Sequence, residues 1–239
     1  MGRAYAVREA SIKKNGAARG KIYSTFAKEI YLVAKRGVPD VESNVELRRL
    51  IDKAKKQQVP NDIIDRAIAK AKGAGQEDYK EVIYEGFGPG ASTLVIKTLT
   101  DNVNRTVGEV RAAFNKVHKS LGVTNSVTYN YDHLAIIGVV SDKYDELFES
   151  LLDAGIEIVD LEQEDNLLVV TAKYADSSKV KDVIETLIPN PDYEIDESGM
   201  YPKDKITLEG EDAENFNKLY KMLDEIDDVS EIYTNVEMN

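Results

Sequence analysis

The spacing of the apolar residues changes near residue 80, and this change divides the chain into a helical part and a part that mixes strands with helices. Before it, Ile22, Phe26 and Ile30 recur at four-residue spacing, as on one face of a helix. After it, residues 81–87 and 92–99 are short apolar runs bounded by turn residues, which predicts strands. The pattern therefore predicts an α+β fold.

The part before the change predicts three helices preceded by a basic arm, residues 1–20. Ser43 and Glu46 form a capping box that opens the second helix, and Pro60 opens the third. The predicted helices run from Lys21 to Arg36, from Ser43 to about Gln57 and from Pro60 to Ala71.

The later part predicts two α/β domains. Residues 134–200 alternate as strand, helix, strand, strand, helix, strand, which is the βαββαβ order of a ferredoxin-like domain. The strand–helix–strand predicted over 205–235 has too few strands to stand alone. It is expected to pair with strands predicted at 81–87, 92–99 and 126–131, so that the ferredoxin-like domain is inserted into a middle domain. The expected domains are residues 1–75, residues 76–133 with 201–239, and residues 134–200.

Charge is divided unevenly between these parts. Up to Gly75 the chain carries 10 Lys and 7 Arg against 8 Asp and Glu, a net charge of +9. The whole chain carries −12, so residues 76–239 carry −21. A basic end on an acidic body directs a polyanion to one end of the molecule.

Composition limits the classes of protein further. The chain has no cysteine, which excludes a disulfide, a thiolate metal site and a cysteine nucleophile. No apolar stretch approaches the roughly 18–20 residues of a membrane span. We therefore expect a cytoplasmic protein with no membrane partner and no small-molecule substrate.

Several segments resemble one known family. They are MGR at the start, RGKIYSTFAKEIYLVAKRGVPD, LRRLIDKAKKQQVPNDIIDRAIAKAKG, YEGFGPG and LTDNVNRTVGEVRAAFNK. Together they resemble the YebC/PmpR family, which includes a mitochondrial translational activator, and most closely its short bacterial branch. The resemblance implies one helical and two α/β domains. It also implies a regulator of gene expression, described in some members as a DNA-binding transcriptional regulator. Other members are described as ribosome-associated factors that relieve stalling on proline-rich nascent chains.

The chain departs from the family pattern at two places. Ala4-Tyr5 stands where the family usually has Lys-Trp, which removes a cation and a large aromatic ring from the arm. Residues 117–122, VHKSLG, stand where relatives carry a Gly-Gly-Asn-Leu/Met-Gly run, which gives a bulkier and more basic turn.

Cations interleaved with tyrosines make the N-terminal part a candidate nucleic-acid contact. Lys and Arg neutralise phosphates, and an aromatic ring stacks on an exposed base. A solvated arm and an arm docked on the protein's own acidic body are the alternatives. The candidate residues are Arg3, Tyr5, Arg8, Lys13, Lys14, Arg19, Lys21, Tyr23 and Lys28.

A second candidate lies where the middle-domain helix begins, at Asn104, Arg105 and Thr106. A helix cap explains the Asn and the Thr, through Asn104 or through a capping box from Thr106. It does not explain Arg105, whose charge lies at the positive end of the helix dipole. This placement indicates an anionic partner or a buried carboxylate such as Asp101. Arg111 is expected to extend the same surface.

No catalytic, metal or cofactor site is expected, and the chain is predicted not to be an enzyme. The run YEGFGPG lacks the G-x-G-x-x-G spacing and lies between strands, so it predicts a hairpin turn on which Phe87 is a possible contact. His118 and His133 are the only histidines and have no ligand-spaced partner. The acidic run 224–228 is expected to be a solvated face, with a weak Mg²⁺ contact or a protein-binding surface as the alternatives.

The sequence thus predicts a nucleic-acid-binding regulator, with three mechanisms open. An RNA-associated translation factor would bind ribosomal or transfer RNA through the basic domain, because RNA offers compact loops. A promoter-binding transcriptional regulator would need long duplex DNA, which an acidic body repels. A protein-binding adaptor acting through the acidic domains would have no affinity for nucleic acid.

Overall fold

A computed structural model describes residues 19–73 and 78–237. Its helices are α1 Arg19–Arg36, α2 Val45–Lys56, α3 Asn61–Lys72, α4 Val103–Asn115, α5 Tyr144–Asp153, α6 Ser177–Leu187 and α7 Gly210–Asp224. Its strands are β1 Lys80–Phe87, β2 Thr93–Thr100, β3 Ser120–Leu121, β4 Tyr131–Val140, β5 Ile158–Glu164, β6 Leu167–Lys173, β7 Tyr193–Pro202 and β8 Val229–Thr234. The described residues fall into two compact units, 19–127 with 205–237, and 128–204.

The first three helices share one apolar core. Ile30 of α1, Leu47 and Ile51 of α2 and Ile64 of α3 are all buried in it. Each helix buries one face and leaves the other polar, which is the amphipathic pattern that the apolar spacing predicted.

The cap of α2 differs from the prediction. Asn44 is the capping residue, since its side-chain oxygen accepts a hydrogen bond from the Leu47 amide at 3.0 Å. Ser43 instead donates from its amide and its hydroxyl to the Asp40 carboxylate. The predicted cap at Ser43 is wrong because α2 begins at Val45, so that Asn44 and not Ser43 directly precedes the helix.

The sheet of the first unit is completed by the chain's return after the other unit. Its strand order is β3-β1-β2-β8, and every pairing is antiparallel. Helices α4 and α7 cover one face, where Leu94, Ile96, Phe114 and Phe216 form the core. Because β8 pairs with β2, the predicted insertion of one α/β part into the other is confirmed.

Two strand predictions in this region are wrong. Residues 128–130 form a 3₁₀ turn, and the short strand β3 lies earlier, at Ser120–Leu121. The backbone amides of Asn125 and Val127 are held by the Glu85 carboxylate, both at 2.7 Å, and not by a strand ladder. Residues 205–209 make only an isolated bridge, between Ile206 and Val236.

The second unit has the topology predicted for it. The antiparallel sheet has the order β5-β6-β4-β7, and α5 and α6 lie on one face. That order, with the βαββαβ sequence of elements, is the ferredoxin-like arrangement. The fold class is therefore confirmed as α+β, with N-terminal helices followed by two four-stranded sheets. The proposed division of the whole chain into three domains stays a prediction.

Candidate functional site

Asp228 is the centre of a buried ionic network in the first unit. It lies directly before β8, and only 5% of its surface is exposed. One carboxylate oxygen, Oδ1, accepts from Lys28 Nζ of α1 at 3.0 Å. The other, Oδ2, accepts from Arg105 at 2.6 Å, Thr106 at 2.8 Å and Thr100 at 3.0 Å. One side chain thus joins α1, β2, α4 and β8.

The surroundings keep this carboxylate ionised. Burial alone would raise the pKa of Asp228, but hydrogen bonds from Arg105, Lys28 and Thr106 outweigh it and hold the pKa at about 2. A buried carboxylate is stable only when its charge is compensated and its lone pairs are occupied. Asp228 meets both conditions, so the expectation that the whole run 224–228 is a solvated face is wrong for this residue.

Lys28 uses all of its donors within the protein. Besides Asp228, its ammonium lies 3.3 Å from the carbonyl of Leu99 and 3.2 Å from the carbonyl of Asp227. It also lies 5.9 Å from the ring centroid of Tyr79. An ammonium has three N–H donors. Lys28 therefore meets a phosphate only if it first leaves these acceptors.

Arg105 pairs with a buried carboxylate, which is one of the two partners that its position against the helix dipole indicated. It donates to Asp101 at 2.9 Å as well as to Asp228, and hydrogen bonds to Asp228 and Asp101 raise its pKa above the usual value. The cap of α4 is Asn102, whose side chain accepts from the Arg105 amide at 3.1 Å. The predicted caps at Asn104 and Thr106 are wrong, because the Thr106 hydroxyl faces the Asp228 network.

A second contact fastens the start of α1 to the end of α7. Lys21 Nζ lies 2.9 Å from Asp224 Oδ1, and it also donates to the Asp224 carbonyl. The Lys21 side chain is 19% exposed, whereas that of Asp224 is 50% exposed. This pair is open to solvent on its acidic side, so salt weakens it more than the buried pair at Asp228.

A cleft of about 700 Å³ lies beside the network. It is lined by Ser24, Lys28, Tyr79, Asp101, Arg105, Glu109, Met222, Glu225, Ile226, Asp227 and Asp228. Five carboxylates face two cations, so the cleft carries an excess of negative charge. A phosphate gains no net attraction here, so a phosphate contact is expected on other surfaces.

A further charged cluster lies between α1 and the sheet. Burial raises the pKa of Glu29 on α1, an effect that nearby Lys97 opposes and Glu231 reinforces. Lys97 of β2 is 3.2 Å from Glu81. Burial lowers the pKa of Lys97, but the nearby carboxylates of Glu231, Glu81 and Glu29 outweigh it, so the pKa is raised overall. The cluster thus places charges of both signs at the interface between α1 and β2.

The predicted site residues are distributed over three places. Arg3, Tyr5, Arg8, Lys13 and Lys14 lie outside the described residues. Arg19, Lys21, Tyr23 and Lys28 lie on α1, where Arg19 is exposed and Tyr23 packs partly against the helical core. Asn104, Arg105, Thr106 and Arg111 lie on α4, where Asn104 and Arg111 are exposed.

The structure brings Lys28, Arg105 and Thr106 together around a residue that the sequence analysis missed. Asp228 was passed over because it ends a run of acidic residues. The signal in the sequence that could have identified Asp228 is its position directly before a predicted strand. The buried Thr100 was missed for the same reason, because a threonine in a strand indicates no function by itself.

Exposed cations also lie on the other two helices. Arg48 and Lys55 of α2 and Lys72 of α3 are exposed, and none of the three forms an ion pair with another described residue. Residues 19–73 carry a net charge of +6, whereas residues 78–237 carry −20. The helical part is thus basic even without the arm.

Within residues 19–73 and 78–237, no group of three or more His, Cys, Asp and Glu side chains is placed to ligate one metal ion. In the same ranges, no helix combines the length and the apolar character that crossing a bilayer requires.

N-terminal helices followed by two antiparallel four-stranded sheets define the class of this α+β protein, and in this chain the helices are basic and the residues after them acidic. The chain belongs to the TACO1/YebC family. Residues 3–74 match the model of the TACO1/YebC protein N-terminal domain, and residues 79–236 match that of the TACO1/YebC second and third domain.

Relatives match over nearly the full chain. A protein of Pseudoalteromonas atlantica named "probable transcriptional regulatory protein" is 40% identical over 98% of this chain and 97% of its own length. A protein of Chromohalobacter salexigens with the same name is 40% identical over 100% of this chain and 99% of its own length. A crystal structure of a conserved hypothetical protein from Aquifex aeolicus superposes with a TM-score of 0.70 at 32% identity, covering 93% of this chain and 92% of that one.

Proposed function

We propose that this chain is a nucleic-acid-binding regulator of gene expression that binds RNA of the translation apparatus through its helical part. One observation carries the proposal, namely the charge of +6 on residues 19–73 beside −20 on residues 78–237. Phosphate neutralisation by Lys and Arg dominates nucleic-acid affinity. A nucleic acid is therefore attracted to the helical part and repelled by the acidic residues that follow it.

The contact surface would consist of cations that the fold does not use internally. Arg48, Lys55 and Lys72 are exposed and unpaired within the described chain, whereas Lys28 and Arg105 are held by Asp228. The exposed Arg19 of α1 would add to this surface. Lys28, Arg105 and Thr106 would then support binding by fixing the basic helices on the acidic body.

RNA fits this charge distribution better than long duplex DNA. A long duplex carries a negative charge about every 1.7 Å and extends beyond a small basic surface. Its flanks would meet a body of −20. RNA presents loops and bends that a small basic domain reaches alone. A role at the ribosome, with relief of stalling on proline-rich nascent chains as the family resemblance implies, is the mechanism we propose.

A DNA-binding transcriptional regulator is the second candidate function. It is favoured by the names of the relatives, which are probable transcriptional regulatory proteins at 40% identity. It would place the same basic helices on promoter DNA. Exposed Asn104 and Arg111 on α4 would then be further contacts.

Ultraviolet crosslinking in growing cells, followed by sequencing of the attached nucleic acid, separates the two candidates. Crosslinks concentrated in ribosomal or transfer RNA are expected. Enrichment of promoter DNA with RNA at background would instead establish the transcriptional regulator. Translation of a reporter with a proline-rich stretch, compared in cells with and without the protein, then tests relief of stalling.

A matched pair of double variants tests the surface. In Lys55→Gln/Lys72→Gln, two exposed lysines of the helical part are neutralised. In Lys205→Gln/Lys218→Gln, two exposed lysines of the acidic body are neutralised. The first pair is expected to lower the salt dependence of RNA binding by about 0.7 per lost phosphate contact, and the second to leave it unchanged. Equal effects of the two pairs would contradict the proposed surface.

A further inference from the structure

The four-stranded sheet of residues 128–204 has two apolar faces. The first face packs on α5 and α6 and contains Ile137 of β4 and Val170 of β6. Successive residues of a strand point to opposite faces, so Ile136 and Val169 lie on the other side of the sheet. There they belong to a separate apolar cluster. This second face consists of Ile136, Leu167, Val169 and Ile195.

The second face is buried as deeply as a protein core. Its four side chains are between 1% and 5% exposed within the single chain. Both α-helices of this unit pack on the first face, and the described hydrophobic residues that pack against the second, Val140 and Tyr201, belong to the same sheet. A sheet with helices on one side commonly leaves its other side in water. A further segment of the same chain must therefore cover the second face.

Carboxylates border the second face on both edge strands of the sheet. Glu162 of β5 lies opposite Val169, and Glu197 of β7 lies opposite Ile136, so both carboxylates are on the side of the second face. Asp160, two residues before Glu162, points the same way. All three residues are partly buried. The covering segment is thus expected to be apolar at the centre of the sheet and basic at its edges.

The described cation at the end of β6 does not supply this positive charge. Lys173 pairs with Glu157, the residue before β5, so the pair adds no net charge to the face. Asp160 and Glu162 form no ion pair with another described residue. Carboxylates withdrawn from water are stable only when a positive charge or hydrogen-bond donors compensate them.

Residues 1–18, the part of the basic arm that precedes the described chain, have the composition and the length that such a cover requires. Their side chains carry four cations against one carboxylate, a net charge of +3. Tyr5, Val7 and Ile12 lie among the cations in the sequence. Eighteen residues extend to about 60 Å, whereas four strands measure roughly 15 Å across. Residues 74–77 and 238–239, which also lie outside the described ranges, are too short to cover the sheet.

We propose that the second face is the docking site of residues 1–18 of the same chain. Their apolar side chains cover the centre of the sheet, and their cations neutralise Asp160, Glu162 and Glu197. A second copy of the chain fits this face less well, because its own second face would bring further carboxylates against the first set. Of the alternatives that the sequence left open for the arm, docking on the acidic body is the one this arrangement favours. The inference goes beyond the proposed function, whose contact surface lies on the helices.

Thiol accessibility tests the docking, because the chain has no cysteine of its own. Val169→Cys places a thiol on the second face, and Val170→Cys is the matched control on the first face. The two valines are 2% and 0% exposed. Each variant is made in the full chain and in a chain that lacks residues 2–18, and its rate of reaction with a maleimide is measured. Val123→Cys, at a position that is 78% exposed, gives the rate of an open thiol.

Removal of residues 2–18 is expected to affect the two buried thiols differently. In the full chain, both should react much more slowly than Val123→Cys. In the shortened chain, the rate of Val169→Cys should rise toward that of Val123→Cys, whereas Val170→Cys should stay protected by α5 and α6. Continued protection of Val169→Cys would overturn the docking. If both thiols lost their protection, the shortened chain would not have kept its fold, and an experiment on the full chain would decide.

Photo-cross-linking supplies that experiment. The variant Tyr5→p-benzoylphenylalanine is irradiated as the full chain, and the cross-linked peptides are identified by mass spectrometry. Attachment within one molecule to β4, β5, β6 or β7 is expected. Attachment only to other parts of the chain, to a second copy or, in cells, to a nucleic acid would overturn the docking. None of these measurements requires the helices to bind RNA, so the proposed function stands or fails separately.

Discussion

Lys28 and Asp228 are 200 residues apart in the chain, yet their side chains form an ion pair of 3.0 Å. Both are largely buried, with side-chain exposures of 15% and 6%. The pair joins the first described helix to the segment that leads into the last strand. The basic helices are thus fastened to the sheet by a contact that is shielded from salt.

Removing the charge of Asp228 is expected to be strongly destabilising. Asp228→Asn leaves Lys28 and Arg105 without their shared carboxylate, and breaking a buried pair in this way costs about 3–5 kcal/mol. Asp227→Asn is the control, because that side chain is exposed and only its backbone carbonyl meets Lys28. The free energy of unfolding, measured by urea denaturation, is compared between each variant and the wild type. Equal losses would show that the network contributes no special stability.

Acid is expected to weaken the protein through the same residue. The pKa of Asp228 is about 2 in the folded protein and ordinarily 3.8, so the unfolded chain binds a proton first as the pH falls. The stabilisation is therefore complete above pH 4 and is lost between about pH 4 and pH 2, with a total of about 2 kcal/mol. Unfolding free energies measured across this window should fall steeply in the wild type. If the unfolding free energy of Asp228→Asn fell as steeply with pH, the loss of stability would be due to other groups.

Glu29 is expected to show the opposite dependence. Burial raises its pKa above 4.5, so the folded state holds its proton while the unfolded chain releases it. Stability consequently falls as the pH rises through this range, and Glu29→Gln removes the penalty. The variant should have a higher melting temperature than the wild type at pH 8 and none of this advantage below pH 4. Glu42→Gln, at an exposed position after α1, should show neither effect.

Two glycines are expected to respond to alanine in opposite directions. A Cβ at Gly86 would overlap the buried ring of Phe114, so Gly86→Ala should destabilise the protein by about 1–3 kcal/mol. Nothing lies within 4 Å of a Cβ at Gly108, on the exposed side of α4. Gly108→Ala should therefore stabilise by about 0.5–1 kcal/mol, because alanine favours the helix. Thermal unfolding of the two variants checks the signs.

Periodicity predicted most of the fold because it reports directly on burial. The helical spacing of Ile22, Phe26 and Ile30 located α1, and the order of apolar runs over 134–200 gave the ferredoxin-like topology. It failed at 126–131, where the Glu85 carboxylate holds the loop amides in place of a neighbouring strand. A carboxylate that accepts the hydrogen bonds a neighbouring strand would otherwise accept leaves no periodic pattern of apolar residues in the sequence.

The candidate site was predicted less completely, because its chemistry depends on contacts between distant segments. Arg105 was recognised from its position against the helix dipole, and a buried carboxylate was one expected partner. The sequence named Asp101, four residues away, whereas the buried partner is Asp228. Choosing between them requires the pairing of β8 with β2, which brings Asp228 to the start of α4.

The pairing of β8 with β2 also sets an order of events during synthesis. Residues 128–204 are contiguous, so this unit can fold as soon as they leave the ribosome. The other sheet must wait for Val229–Thr234, and until then β2 presents an unpaired edge to which other chains can add. Pairing of Val229–Thr234 closes that edge, and it brings Asp228 to Lys28 of α1 in the same step. The basic helices are therefore set in their final place only once nearly all of the chain has been made.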